Sequence, residues 1–201
     1  MSLRVAARVF AFIFAFVLSL VNVCADEVAD KWANDVTGTL GEIGACFQGG
    51  ELPTGINCNV FVGHTLERLY GVTDFRSSQG RYFSANETAE FLVTAGAWRA
   101  IGPASEQANL DDAANAARGV PVVAVWRNPL ATSANDSSHH GHIALIGPGP
   151  LMPSTAWHLN VPTSAAASID SPNGRYIGDR LSRAFGAGKK DAVMLYARAQ
   201  Q

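Results

Sequence analysis

The chain has 201 residues, 48% hydrophobic and 16% charged, and its 15 basic and 17 acidic side chains give a formal charge of −2 at pH 7. That length supports one domain with a substantial core. No basic cluster is present to neutralise phosphates, which argues against nucleic acid as a partner.

Arg4 and Arg8 are followed by an apolar run from Val9 to Leu18, then by Val23-Cys24-Ala25 ahead of Asp26. A positive start, an apolar middle and a small residue at the cut describe a secretory signal peptide. Residues 1–25 are therefore expected to be a signal peptide and residues 26–201 a single domain. An uncleaved anchor competes with this reading, because the apolar run approaches spanning length. A lipidated Cys24 is disfavoured by Val23, where that signal wants a small residue. Cleavage removes two arginines and leaves 13 basic against 17 acidic side chains, a formal charge of −4. The mature protein is then expected in the periplasm or outside the cell. No stable membrane association is expected of it, since an acidic surface does not dock electrostatically on anionic lipid.

A first helix is predicted from Asp30 to Leu40, ended by Gly38 or Gly41. The stretch from Gly49 to Gly55 reads as a loop. Asn57 is an N-cap for a helix through Phe61, Leu66, Leu69 and Tyr70, which stops at Gly71. A second helix is expected after Asn86 and ends near Gly96, and a third covers about Leu110 to Arg118 and stops at Gly119. The pattern then turns to β. Val120–Trp126 is short and β-branched, His142–Ile146 is ended by Gly147-Pro148-Gly149-Pro150, and Asp191–Tyr196 is the last strand. Between them Trp157–Val161 alternates, with Trp157, Leu159 and Val161 on one face and His158 and Asn160 on the other. Helices first and an antiparallel meander after make an α+β protein. There is no internal repeat and no low-complexity linker.

Two short runs carry the chemistry. Gly55-Ile56-Asn57-Cys58-Asn59-Val60-Phe61-Val62 puts a cysteine at a helix start, where exposed backbone N–H groups favour a thiolate. Gly141-His142-Ile143-Ala144-Leu145-Ile146 puts a histidine at a strand start, and a nucleophilic thiol needs an imidazole to take its proton. The competing reading is a Cys46–Cys58 disulfide across a glycine-rich loop, in a secreted binding or structural protein without catalysis. His139, His140 and His142 are also metal-ligand types, but they lack the spaced partners of a zinc site. His64 falls inside the Cys58 helix as a packing residue, and Trp98, Trp126 and Trp157 read as core aromatics.

Together with Gly119–Trp126, these runs resemble the central part of CHAP domains and of the related NlpC/P60 peptidases, over roughly Gly55 to Val161. The resemblance implies a papain-like fold, with N-terminal helices packed on an antiparallel β-meander. It implies Cys58 as nucleophile and His142 as general base. The family often carries an acid and an asparagine two apart on the strand after the histidine, and that spacing falls on His158 and Asn160. Histidine here replaces the acid, so Asn160 is the better candidate to orient His142, with His158 as the alternative and Ser154 behind both. The implied activity is hydrolysis of amide bonds in peptidoglycan, with its peptide stems as the partner and neither metal nor organic cofactor. An acyltransferase, or a peptidase acting on another substrate, would use the same cysteine chemistry.

Overall fold

The computed structural model describes residues 27–39, 58–136, 138–167 and 176–199. Helix α1 spans 27–39 and α2 spans Cys58–Tyr70. They are followed by α3 (Ala85–Thr94), β1 (Trp98–Pro103), α4 (Gln107–Ala116), β2 (Val122–Trp126) and β3 (His142–Ile146). The chain continues through β4 (Met152–Ser154), β5 (Leu159–Val161), β6 (Thr163–Ala166), β7 (Tyr176–Arg180), α5 (Leu181–Phe185), a 3₁₀ turn (Ala187–Ala192) and β8 (Val193–Arg198). The protein is α+β: six strands form one antiparallel sheet in the order β1-β8-β2-β3-β6-β7, and β4-β5 is a separate ribbon.

The central strands explain their own position. Val122, Val123, Ala124 and Val125, like Ile143, Ala144, Leu145 and Ile146, are all buried. Strands apolar on both sides have to be covered on both faces. On one face, Val123, Val125, Ile143 and Leu145 join Phe61, Val62 and Leu66 of α2, Trp32 and Val36 of α1, and Leu92 of α3. On the other, Val122, Ala124, Ala144 and Ile146 meet Leu110 and Ala113 of α4, Leu181 and Phe185 of α5, and Trp157. The result is a helix–sheet–helix sandwich.

The helix ends follow sequence chemistry. Gly71 closes α2 with φ of 65°, and its N–H donates to Glu67 O at 3.0 Å. This is the left-handed cap that glycine adopts without steric cost. Helix α3 begins one residue before Asn86, because Ser84 takes the cap. Its hydroxyl accepts from the Glu87 N–H, while the Glu87 carboxylate accepts from the Ser84 N–H. That reciprocal pair is the capping box spelled by Ser84-Ala85-Asn86-Glu87. Helix α4 starts at Gln107, a turn earlier than the apolar pattern predicts.

One expectation about the strands is corrected. The predicted strand Trp157–Val161 is regular only from Leu159. Trp157 lies in a turn, wholly buried, with its indole N–H donating to Gly186 O at 2.7 Å and its backbone N–H donating to Ser154 Oγ at 3.2 Å. His158 then takes φ of 54°, which reverses the chain. The last strand, β8, lies inside the sheet, between β1 and β2. Strands β1, β6 and β7 and helix α5 escape the sequence pattern, being short and only partly apolar. The signal-peptide reading, Leu40, Gly41, the Gly49–Gly55 loop, Cys46 and Asn57 lie outside the described residues. Among the described residues, no helix is long and apolar enough to cross a membrane.

Candidate active site

Cys58 is the first residue of α2 and is 8% exposed, packed in the core cluster that includes Phe61, Val62, Ile143 and Leu145. A thiol there lies where the first, unpaired N–H groups of a helix gather. The next residue anchors the helix start. Asn59 Nδ2 donates to Phe83 O at 2.7 Å, tying α2 to the segment that enters α3.

From Phe83 the connections lead to β3. Ser84 Oγ donates to Ala134 O at 2.8 Å. Asn86, 2% exposed, donates from Nδ2 to His139 O at 2.9 Å and accepts at Oδ1 from the Asn128 N–H at 3.0 Å. One carboxamide thus holds the chain just after β2 and just before β3. Asn128 Nδ2 adds a bond to His140 O at 3.2 Å. Phe83–Asn86 therefore connects the start of α2 with the start of β3, while Cys58 packs on the sheet face of Ile143 and Leu145 and His142 stands on the other.

His142 pairs with Trp126 across the β2–β3 ladder and by alternation shares the face of Ala144 and Ile146. Its ring lies 5.3 Å from that of Phe185, edge to face at 75°. Lys189 Nζ stands 3.9 Å above the Trp126 ring, so a cation borders the same patch. The preceding loop is pinned by Asp136, which accepts from the backbone N–H groups of Thr132 and Ser138 and lies 3.1 Å from His139 Nδ1. Those N–H groups, and then His139, hold the Asp136 carboxyl well below the usual carboxylate range. His139 is thereby engaged with its own loop.

The remaining predicted residues are placed elsewhere. The hairpin expected to carry His158 and Asn160 beside His142 does not form. The neighbour of β3 is β6, through Leu145↔Ala165 and Ile146↔Ser164, and β5 pairs with β4. The physical reason is the turn at Ser154–His158, which folds β5 back onto β4 before the chain returns to the sheet. Asn160 is exposed, and its backbone N–H and C=O are both bonded by the Gln107 side chain, each at 2.9 Å. His158 is exposed in the turn. Ser154 is buried and donates to Ser182 Oγ at 2.8 Å, a bond between β4 and α5. His64 lies 3.5 Å through Nδ1 from the Tyr82 hydroxyl, in a cluster with Glu67 and Arg76 along α2.

Neither a protein-family model nor a curated protein matches the chain.

The geometry thus speaks through these residues alone. Sequence reasoning missed Asn86, reading it as the start of a helix. The signal was present: once Ser84 and Glu87 form the capping box, Asn86 sits inside the first turn with no capping task, and asparagine is a poor helix former. Asn160→Ala is expected to change turnover on any substrate by less than about threefold, because its side chain is exposed and its structural bonds are made by the backbone. A steady-state assay checks this, and a loss approaching that of His142→Ala would restore Asn160 as the orienting group.

Proposed function

We propose that the protein is a papain-like cysteine hydrolase of the CHAP or NlpC/P60 kind, cleaving amide bonds in peptidoglycan. What supports this reading is that α2 opens on Cys58 and β3 on His142, and that Phe83–Asn86 bonds to both element starts, through Asn59 and through His139. Covalent catalysis asks for a thiol at a helix start and an imidazole on a rigid neighbouring element. His142 is part-exposed and begins its strand on the face of Ala144 and Ile146, opposite the face on which Cys58 packs. This reading therefore requires the imidazole to turn around the end of β3 toward the thiol.

In this mechanism the Cys58 thiolate attacks the amide carbon, forming a C–S bond, and the backbone N–H of Cys58 helps hold the developing oxyanion. The C–N bond breaks as His142 gives its proton to the departing amine. Water, deprotonated by His142, then attacks the thioester, the C–S bond breaks, and the acid leaves. No step calls for a metal or organic cofactor. As a secreted enzyme the protein would meet peptide stems in the periplasm or the wall.

Incubation of the mature protein with purified wall material, followed by analysis of the released muropeptides, tests the substrate. New amine or carboxyl ends are expected, and unchanged wall material would reject peptidoglycan. The dyad has its own test in thiol reactivity. Iodoacetamide is expected to alkylate Cys58 faster than a simple thiol below about pH 7, because a histidine-paired thiolate persists at lower pH. His142→Ala is expected to remove that advantage. Reactivity that rises only near about pH 8.5, as for an ordinary cysteine, would count against the pair.

A further inference from the structure

We propose that Asn86 is a positioning residue for His142, its buried carboxamide setting where the strand that carries the imidazole begins. The proposal rests on the cysteine-hydrolase reading and deepens it. Asn86 is 2% exposed, and its two bonds run to opposite ends of the β2–β3 connection, to the Asn128 N–H at 3.0 Å and to His139 O at 2.9 Å. A buried amide with donor and acceptor both used has one orientation available. Its Oδ1 also lies 2.5 Å from where a Cβ would stand on Gly141, so the carboxamide fills the space directly beside the residue before His142.

The alternatives for this task are weaker. Asp136 and His139 hold their own loop together, and Asn128 acts on His140 from within the same connection. Asn86 alone among these reaches the connection from a separate element, α3, whose entry segment also holds the start of α2 through Asn59. The same short segment thus ties the start of α2 to the connection that leads into β3. A catalytic group displaced by about an ångström loses rate steeply.

The test compares iodoacetamide alkylation of Cys58 against pH in the full mature protein and in His142→Ala, Asn86→Ala and Asn86→Asp, with thermal melting run in parallel. Asn86→Ala is expected to fold, to melt lower, and to lose the low-pH reactivity by about tenfold, approaching the His142→Ala profile. Asn86→Asp keeps the acceptor for Asn128 and loses the bond to His139, so its profile is expected between wild type and Asn86→Ala. A folded Asn86→Ala protein with the wild-type profile overturns the proposal. If Asn86→Ala does not fold, Asn86→Asp decides, and a wild-type profile there overturns it equally. A wild-type protein indifferent to His142→Ala sinks the dyad itself. His142 dependence that is untouched by either Asn86 change sinks only the positioning role.

Discussion

Cys58→Ala is expected to reduce amide hydrolysis by at least about a thousandfold, because removing the nucleophile of a covalent mechanism leaves only binding and oxyanion stabilisation. The fold should survive. Cys58 sits at the rim of the core at 8% exposure, and the substitution deletes one sulfur, a loss on the order of 1 kcal/mol against the 2–5 typical of truncating a large aliphatic residue. Thermal melting beside the turnover assay separates the two effects. Cys46→Ala is expected to keep most of the activity. The disulfide reading expects the opposite, namely equal loss from both substitutions with lowered melting temperatures, since a broken crosslink acts through stability. Full turnover in Cys58→Ala would remove this residue from the chemistry altogether.

Legibility in the sequence followed burial. Strands β2 and β3 were readable because Val122–Val125 and Ile143–Ile146 are apolar on both faces, and that is what central strands require. Helix α2 was readable at both ends of its described span, from the apolar spacing of Phe61, Leu66 and Leu69 and from Gly71. Strands β6 and β7 were not, because Thr163-Ser164-Ala165-Ala166 and Tyr176-Ile177-Gly178-Asp179-Arg180 carry little β signal of their own. They are strands because β3 offers an edge and Ser164 finds partners in the Tyr176 hydroxyl and Asp179 O. The period-2 pattern at Trp157–Val161 misled for a related reason. Trp157 is apolar because a turn buries it against α5, and a turn residue can mimic one tooth of an alternating strand. The consequence for the site is specific. That α2 opens on Cys58 and β3 on His142 was legible from local context, while the partner of β3 depended on a long-range pairing that local pattern does not encode. Asn86 belongs to the same class, since its partners Asn128 and His139 are distant in sequence and both are backbone groups.

Gly141→Ala is expected to be the most damaging single-methyl change near the site, costing about 2–3 kcal/mol, near the upper end for overpacking a filled space. A Cβ at this position would lie 2.5 Å from Asn86 Oδ1, 2.6 Å from Trp126 O and 3.3 Å from Ala85 Cβ. The carboxamide could shift, but only by giving up its bonds to Asn128 and His139. The Trp126 carbonyl belongs to the last residue of β2, directly opposite His142, and has no rotamer through which to withdraw. Relief therefore comes by moving the start of β3, which displaces His142 and lowers turnover beyond what the lost stability explains. Melting should fall by several degrees, as about 2–4 °C per kcal/mol is typical of a chain this long. Gly188→Ala is the control, because nothing lies within 4 Å of a Cβ there, and it should melt within about 0.5 kcal/mol of wild type. Adding Asn86→Ala to Gly141→Ala removes one of the two severe contacts and leaves the carbonyl in place. The double variant is expected to stay destabilised and poorly active. Recovery of wild-type melting and turnover in that double variant would show that the carboxamide, and not the backbone of β2, is what confines residue 141.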